Sequence, residues 1–288
     1  MAVLNYRGLL GKIRAAQKTQ QITKTMQMVS ASRLKKSQEK FFQSKPYFDK
    51  TREILSHLKN SGMEIHHPFF EQRKVSSVAL VIVTSDRGLC GAYNANIIHF
   101  AESFLEKHPN EKTELILIGK KGYDYFAKRN WPIFQKYFDL AGKTDFAKIS
   151  EITNQLTNAY LSKRFDAIHL VYTAYKSALA ILPASQTLLP LSPPSAGAEQ
   201  IASKTFLEPS GEEILARILS TYVASKVYVS LMEAFTAENS ARMIAMKNAT
   251  DNAKQMIKTL TLLRNKARQA AITQELMEIV TASEALRG

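Results

Sequence analysis

The period of apolar and polar positions changes twice along this chain. Residues 12–45 hold neither Gly nor Pro, and Ile13, Ile22, Met26, Val29 and Leu34 form an interrupted apolar stripe with Gln20, Gln21, Thr23 and Thr25 among them. That spacing predicts a long helix with a polar seam. Pro46 predicts a kink or a fresh start, after which Ile54, Leu55 and Leu58 continue the helical spacing from Tyr47. A linker follows from Gly62 to Lys74, with Pro68 inside it. The period then shortens. Val75 to Val83 is a β-branched run of the buried-strand type, closed by Thr84-Ser-Asp-Arg-Gly-Leu-Cys-Gly91. A helix to Lys107 comes next, then a strand at Leu115–Ile118, a helix at Lys121–Arg129 and a strand at Ile133–Phe138. A helix at Phe146–Lys163 and strands at Ala167–Tyr175 and Leu179–Leu191 complete this stretch, and Leu191 to Gly197 reads as loop. Strand alternating with helix at this spacing predicts a small α/β layer structure around a largely parallel sheet.

The second change comes after Pro209. Ser210 with Glu213 three residues on is a capping-box pattern, and after Gly211 no Gly or Pro occurs until Gly288, a run of 76 residues. One unbroken helix of that length is roughly 110 Å long, several times the width of a small domain. Met246, Ala249, Ala253, Met256, Leu260, Leu263, Ala267 and Ala270 alternate steps of three and four, the 3.5-residue period of a coiled-coil seam. The N-terminal helix is its natural partner, and the intervening domain makes the antiparallel pairing the simplest. The predicted architecture is therefore a long antiparallel α-helical coiled coil formed by residues 1–60 and 209–288. A Rossmann-like α/β domain, residues 61–208, is inserted between them.

Charge sharpens this division. Residues 1–60 carry 13 Lys/Arg against 3 acids, residues 61–208 carry 16 against 14, and residues 209–288 carry 10 against 8. The net +14 thus belongs mostly to the first helix, and it implies an acidic partner there: nucleic acid, anionic lipid or an acidic protein surface. No apolar run approaches the length of a membrane span, and no secretory leader or transit-peptide break is evident. The single cysteine, Cys90, excludes a disulfide framework within the chain.

Candidate chemistry in the insert is weak. Gly142-Lys143-Thr144 resembles the end of a phosphate-binding loop, but the glycine required five positions earlier is Tyr137. The turn Ser85–Gly91 sits where doubly wound folds bind ligands, yet it is not G-x-G-x-x-G, and a structural turn is the favoured reading. Cys90 lacks a neighbouring histidine base and reads as a small buried thiol. His57, His66 and His67 match no metal-ligand spacing. No cofactor, metal or catalytic residue is predicted. Two functions remain: a nucleic-acid or anionic-surface binder that uses the basic helix, and a coupling subunit whose long helices insert into a larger assembly. The C-terminal tip favours the second. Between Arg268 and Arg287 it has no base, and it carries Ile272, Leu276, Met277, Ile279, Val280 and Leu286 with Glu275, Glu278 and Glu284 interspersed. A nucleic-acid arm would be basic at its reach, whereas this tip suits a protein socket.

Four stretches carry a family resemblance: Thr19–Leu34 (TQQITKTMQMVSASRL), Thr84–Asn94 (TSDRGLCGAYN), Glu238–Thr250 (ENSARMIAMKNAT) and Asn265–Val280 (NKARQAAITQELMEIV). In this order they resemble the γ subunits of F-type ATP synthases. The resemblance implies a central rotor shaft that turns inside the catalytic hexamer of α and β subunits. It would couple proton flow through a membrane ring to ATP synthesis or hydrolysis without catalytic residues of its own. It implies contact with the α/β head through Met26, Arg33, Lys35, Lys36 and Arg242, and through Arg268, Gln269, Thr273 and Glu275 at the tip. A foot including Phe206 and Glu208 would rest on the ring of c subunits and on ε. The implied partners are thus α, β, ε and the ring, with no nucleic acid and only peripheral membrane association, at the cytoplasmic face of a bacterial inner membrane. With Cys90 alone, thiol regulation of the plastid kind is not expected.

Overall fold

The structure is a computed structural model that describes residues 6–60, 67–141, 146–191 and 211–286. Gly142-Lys143-Thr144, the Ser210 cap, and Phe206 and Glu208 lie outside the described residues. Five helices and five strands follow in the order α1 (Tyr6–Asn60), β1 (Ser77–Val83), α2 (Tyr93–Lys107), β2 (Lys112–Ile118), α3 (Lys120–Phe126), β3 (Ile133–Tyr137), α4 (Phe146–Leu161), β4 (Ala167–Tyr175), β5 (Ile181–Leu189) and α5 (Gly211–Ala285). Short 3-10 turns at Pro68–Phe70 and Ala127–Arg129 complete the described elements. The chain divides into two compact units, residues 30–242 and residues 1–29 with 243–288.

In residues 30–242 the sheet order is β3-β2-β1-β4-β5, with β5 antiparallel to β4 and the other pairings parallel. The alternation of strand side chains sets the layers. Ala79, Val81, Val83, Ile116 and Ile118 face one core with α4, the α5 residues Leu219, Val223 and Val227, and Phe41 and Leu55 of α1. Leu80, Ile82, Leu115 and Leu117 face the other core, with Ile97, Ala101 and Phe126 of α2 and α3. Because both faces are covered, β1 and β2 read as continuous apolar runs, the feature that marked them in the sequence. Asp166, just before β4, accepts from the Ser76 and Ser77 backbone N–H groups at 3.0 and 2.9 Å and so ties the starts of β1 and β4.

Pro46 lies inside α1, and the helix continues through it. Proline removes one intrahelical bond, that to the carbonyl of Phe42. Both residues are exposed, so water can satisfy that carbonyl while Phe41, Phe48, Thr51 and Leu55 hold the helix on the core side. The stripe along α1 also differs from the predicted one. Its buried and half-buried positions run Leu9, Ile13, Ala16, Gln20, Thr23 and Gln27 in one unit, and Ser30, Leu34, Ser37, Phe41, Ser44, Phe48, Thr51 and Leu55 in the other. These steps of four and three are a 3.5-residue period. Ile22 (63% exposed) and Val29 (43%) face outward, and Met26 is half-buried beside the seam. Register won over hydrophobicity, because the apolar ends of the stripe set the helix rotation and its polar middle must follow.

At the carboxyl end of β2, Gly119 adopts φ 96°. A Cβ there would overlap the Thr84 carbonyl, at the point where Thr84 Oγ1 accepts from the Gly122 N–H at 2.9 Å. Both the backbone conformation and the close approach require glycine. Gly119→Ala is expected to destabilise the chain by about 3 kcal/mol or more, read as a lowered midpoint in urea unfolding.

Candidate functional site

The backbone donors beyond the carboxyl ends of β1 and β2 are satisfied from within, to one side of the β1–β4 switch point where a doubly wound fold holds its ligand. Asp86 places its carboxylate among those donors, accepting from the Lys120 N–H at the start of α3 (3.1 Å) and from the Asp139 N–H (3.0 Å). It takes backbone donors that an anionic ligand would use. Asn94 Oδ1 accepts from the Ser85 N–H at 3.0 Å, and Asn94 Nδ2 donates to the buried Cys90 sulfur at 3.2 Å. His67 Nδ1 accepts from the Phe69 N–H and caps the short turn that follows.

The Ser85–Gly91 turn is clamped by α5. Arg242 Nη2 lies 2.7 Å from Glu238 Oε1, one helical turn away, and both side chains are buried. The guanidinium also donates to the carbonyls of Arg87 (3.1 Å) and Gly88 (3.3 Å). Burial pushes the Glu238 carboxyl up from its usual range against the pull of Arg242, and Glu238 Oε2 has no hydrogen-bond partner. Beside it, Tyr93 donates to the Ala234 carbonyl at 3.2 Å, and burial followed by the Glu238 charge pushes its phenol upward. The Glu238 role was missed in the sequence. Its signal was the i, i+4 acid–base pair Glu238–Arg242, which on an exposed helix would count for little.

In the unit of residues 1–29 and 243–288, α1 and α5 pack along a seam that is polar at its centre. Thr250 Oγ1 donates to Thr23 Oγ1 at 2.8 Å, and Met246 and Ala253 are buried. The seam of α5 continues through Ile257, Leu260, Arg264 and Ala267, half-buried, whereas Met256 (58% exposed) and Leu263 (37%) face outward. The predicted Met246, Ala253, Leu260 and Ala267 lie in the seam, whereas Ile257 and Arg264 take the places predicted for Met256 and Leu263. Lys12, Arg14, Lys18 and Lys24 are exposed on α1. From Arg268 to Leu286 every residue of α5 is exposed, although the helix persists to Ala285. This tip carries Ile272, Leu276, Met277, Ile279, Val280 and Leu286 at 50–88% exposure. A single helix of this length is marginal in water, and its apolar residues on several flanks are those of a helix that is covered in use.

The predicted contact residues fall into distinct settings. Arg33, Lys35 and Lys36 are exposed on α1. Arg242 is directed inward to Glu238 and the 87–88 carbonyls. Arg268, Gln269, Thr273 and Glu275 are all exposed, but they do not share one side. Thr273 Oγ1 donates to the Gln269 carbonyl at 2.9 Å, while Arg268 and Glu275 lie on the adjoining flank about 100° around the helix.

The family profile described as ATP synthase matches residues 5–286. The ATP synthase gamma chain of Desulforamulus reducens is 39% identical over 280 residues, covering 97% of this chain and 98% of that protein. The gamma chain of Symbiobacterium thermophilum is 39% identical over 286 residues, covering 99% of each. The chain belongs to the ATP synthase gamma-chain family. Among solved structures, this gamma-family chain is similar to one in the Euglena gracilis mitochondrial ATP synthase OSCP/F1/c-ring assembly, with TM-score 0.66 and 21% identity over 98% of this chain and 94% of that one. It is also similar to one from the central stalk and c-ring of the Tetrahymena thermophila enzyme, with TM-score 0.61 and 24% identity over 79% and 99%. At these identities the likeness is one of fold.

Removing Arg242 would leave Glu238 charged and buried without its cation. Arg242→Met is expected to cost about 3–5 kcal/mol near neutral pH. Glu238 titrates above its unfolded value, so its contribution to stability is fully present below about pH 4 and is lost as pH rises through the folded pKa. Without Arg242 that pKa rises further. The variant's deficit should therefore shrink as pH is lowered toward 5, which thermal unfolding across pH would read.

Proposed function

We propose that this gamma-family chain is the central rotor shaft of a proton-translocating F-type ATP synthase. It couples rotation of a membrane ring of c subunits to ATP synthesis or hydrolysis in a catalytic hexamer of α and β subunits. The observation that carries this reading is the α5 tip, helical to Ala285, exposed from Arg268 to Leu286, apolar on several flanks and without a base between Arg268 and Arg287. Such a helix suits an apolar protein sleeve and not a nucleic-acid groove. The relatives are gamma chains of bacterial ATP synthases, and two solved structures of similar fold come from a central stalk and c-ring and from an OSCP/F1/c-ring assembly of ATP synthases.

The parts divide the work by their physics. The exposed cations Lys12, Arg14, Lys18 and Lys24, with Arg33, Lys35 and Lys36, would face acidic loops of the head, where charge attracts without locking. The tip would bear on the sleeve through its aliphatic side chains, which slide without leaving buried polar groups unpaired. Arg268 with Glu275, and Gln269 with Thr273, would make intermittent polar contacts with β at particular rotary angles. The chain would act without catalytic residues of its own. Among the described residues no helix is long and apolar enough to cross a membrane, in keeping with peripheral attachment through the ring and ε at the cytoplasmic face of a bacterial membrane.

A charge-assisted bond from Arg268 to a carboxylate is worth about 1.5–3 kcal/mol when partly desolvated, enough to bias a dwell about tenfold and weak enough to release each turn. Arg268→Leu or Gln269→Leu is expected to slow ATP turnover by up to about tenfold while the head assembles normally. Wild-type turnover in both would leave these residues as a solvated face. Met26→Lys would place a new cation beside the seam of α1. It is expected to lower the protons pumped per ATP hydrolysed in reconstituted vesicles with hydrolysis retained, and an unchanged ratio would remove Met26 from the contact set.

A further inference from the structure

In residues 30–242, α1, α5 and the β4–β5 edge of the sheet line a half-open pocket of about 550 Å³. That volume is in the range of small-molecule sites, and nothing in a shaft's function requires a cavity there. Its walls combine two kinds of chemistry. Phe41, Phe48, Tyr172 and Val229 supply apolar and aromatic surface, and Phe48 is held by stacking on Tyr222 with ring centroids 5.4 Å apart. Four cations line it, Lys45, Arg52, Lys176 and Lys226, against two carboxylates, Asp49 and Glu233.

The charges are not equivalent. Glu233 is engaged by the protein, accepting from the Tyr175 N–H at 2.9 Å with the Lys45 charge nearby. The Tyr172 phenol is pushed up to about 12, by burial first and then by the Glu233 charge, so it stays a neutral donor at the wall. Lys226 is the exception. It projects from α5 into the half-buried layer between helix and sheet, and its Nζ donates to the Thr187 carbonyl at 2.6 Å. That is one acceptor for three donors, and no described carboxylate lies within ion-pair distance of it. Burial pulls its ammonium down from the usual lysine range, and among the described residues no carboxylate serves it as a counter-ion. A buried charge of that kind is costly unless something pairs with it.

The geometry points to a binding site in this cavity for a small amphipathic anion, with a flat apolar body against Phe48 and Tyr172 and a phosphate or carboxylate head on Lys226 and Arg52. A cation on each side of the head, from α5 and from α1, would bridge two helices through the ligand and rigidify the layer between helix and sheet. Inorganic phosphate would lack the apolar contacts and a neutral aromatic would lack the charge, so both halves of the ligand are needed. An acidic peptide of a partner protein is the competing occupant. It is disfavoured because the Lys226 ammonium sits within the half-buried layer and not on an open face.

The test is calorimetric titration of the full-length chain with 1-naphthyl phosphate, with inorganic phosphate and 1-naphthol titrated separately. The expected result is a saturable one-to-one isotherm for 1-naphthyl phosphate, with each fragment weaker by about tenfold or more. Lys226→Gln should weaken binding at least about tenfold. Arg52 and Asp49 sit at the rim, where substitution leaves the core packing intact. Arg52→Gln should weaken binding several-fold, and Asp49→Asn should tighten it by removing a like charge from the ligand's side. These opposite shifts in folded protein separate a lost contact from a lost fold. Absence of saturation, or equal affinity in Lys226→Gln, would overturn the assignment. So would the disappearance of the Lys226-dependent isotherm in the assembled ATP synthase, which would assign the cavity to a protein contact. None of these outcomes bears on rotation, so the shaft reading stands or falls separately.

Discussion

The stretch of α5 from Ser230 to Arg242 is buried on nearly every side, and the rest of residues 30–242 is arranged around it. A helix enclosed all round must be thin where it is closest to its neighbours, and here it carries Ala234, Thr236, Ala237 and Ser240, each almost fully buried. Its polar groups are then satisfied one by one by the surrounding elements. Tyr93 reaches the Ala234 carbonyl, Glu233 takes the Tyr175 N–H, Ser240 donates to the Ala178 carbonyl at 2.6 Å, and Arg242 holds the carbonyls of Arg87 and Gly88. Directional bonds to three different segments resist rotation of the helix in its bed far better than apolar contacts alone.

The helix pair follows the opposite design. Gln20, Thr23 and Gln27 occupy seam positions where a coiled coil made for stability would carry Leu or Ile. Meanwhile Ile22, Met28, Met256 and Leu262 face outward. A polar seam and an apolar outside invert the usual distribution, and they make sense when the pair works inside other protein. The outward side chains then meet a partner, and the seam has only to keep register, which the Thr23–Thr250 bond does directly. The tip carries the same logic further, since every residue from Arg268 to Leu286 is exposed.

Much of this was legible from residue order alone. The absence of Gly and Pro over residues 212–287 predicted one long helix, and the apolar and β-branched runs predicted all five described strands with ends within three residues, because those patterns reflect local backbone preference and two-sided burial. The basic first segment and the base-free tip also needed no structure, since charge is additive along a chain. The family motifs put the described candidate contacts on α1 and α5. They did not reveal that Arg242 turns inward or that Arg268 and Gln269 fall on adjoining flanks.

What only the tertiary structure decided was rotation and pairing. Which stripe of α1 faces inward depends on the partner surfaces at Leu9, Ile13, Phe41 and Leu55, and these overrode the more hydrophobic choice of Ile22 and Val29. Pro46 passes through a continuous helix because packing on one face and water on the other offset a local defect. Asp86 is fixed beyond the end of β1 because Lys120 and Asp139, far along the chain, bring their N–H groups to it. The composition and period of a helix belong to its own residues. Its rotation about its axis is a contest among all the surfaces it touches, and those are settled only when the chain is folded.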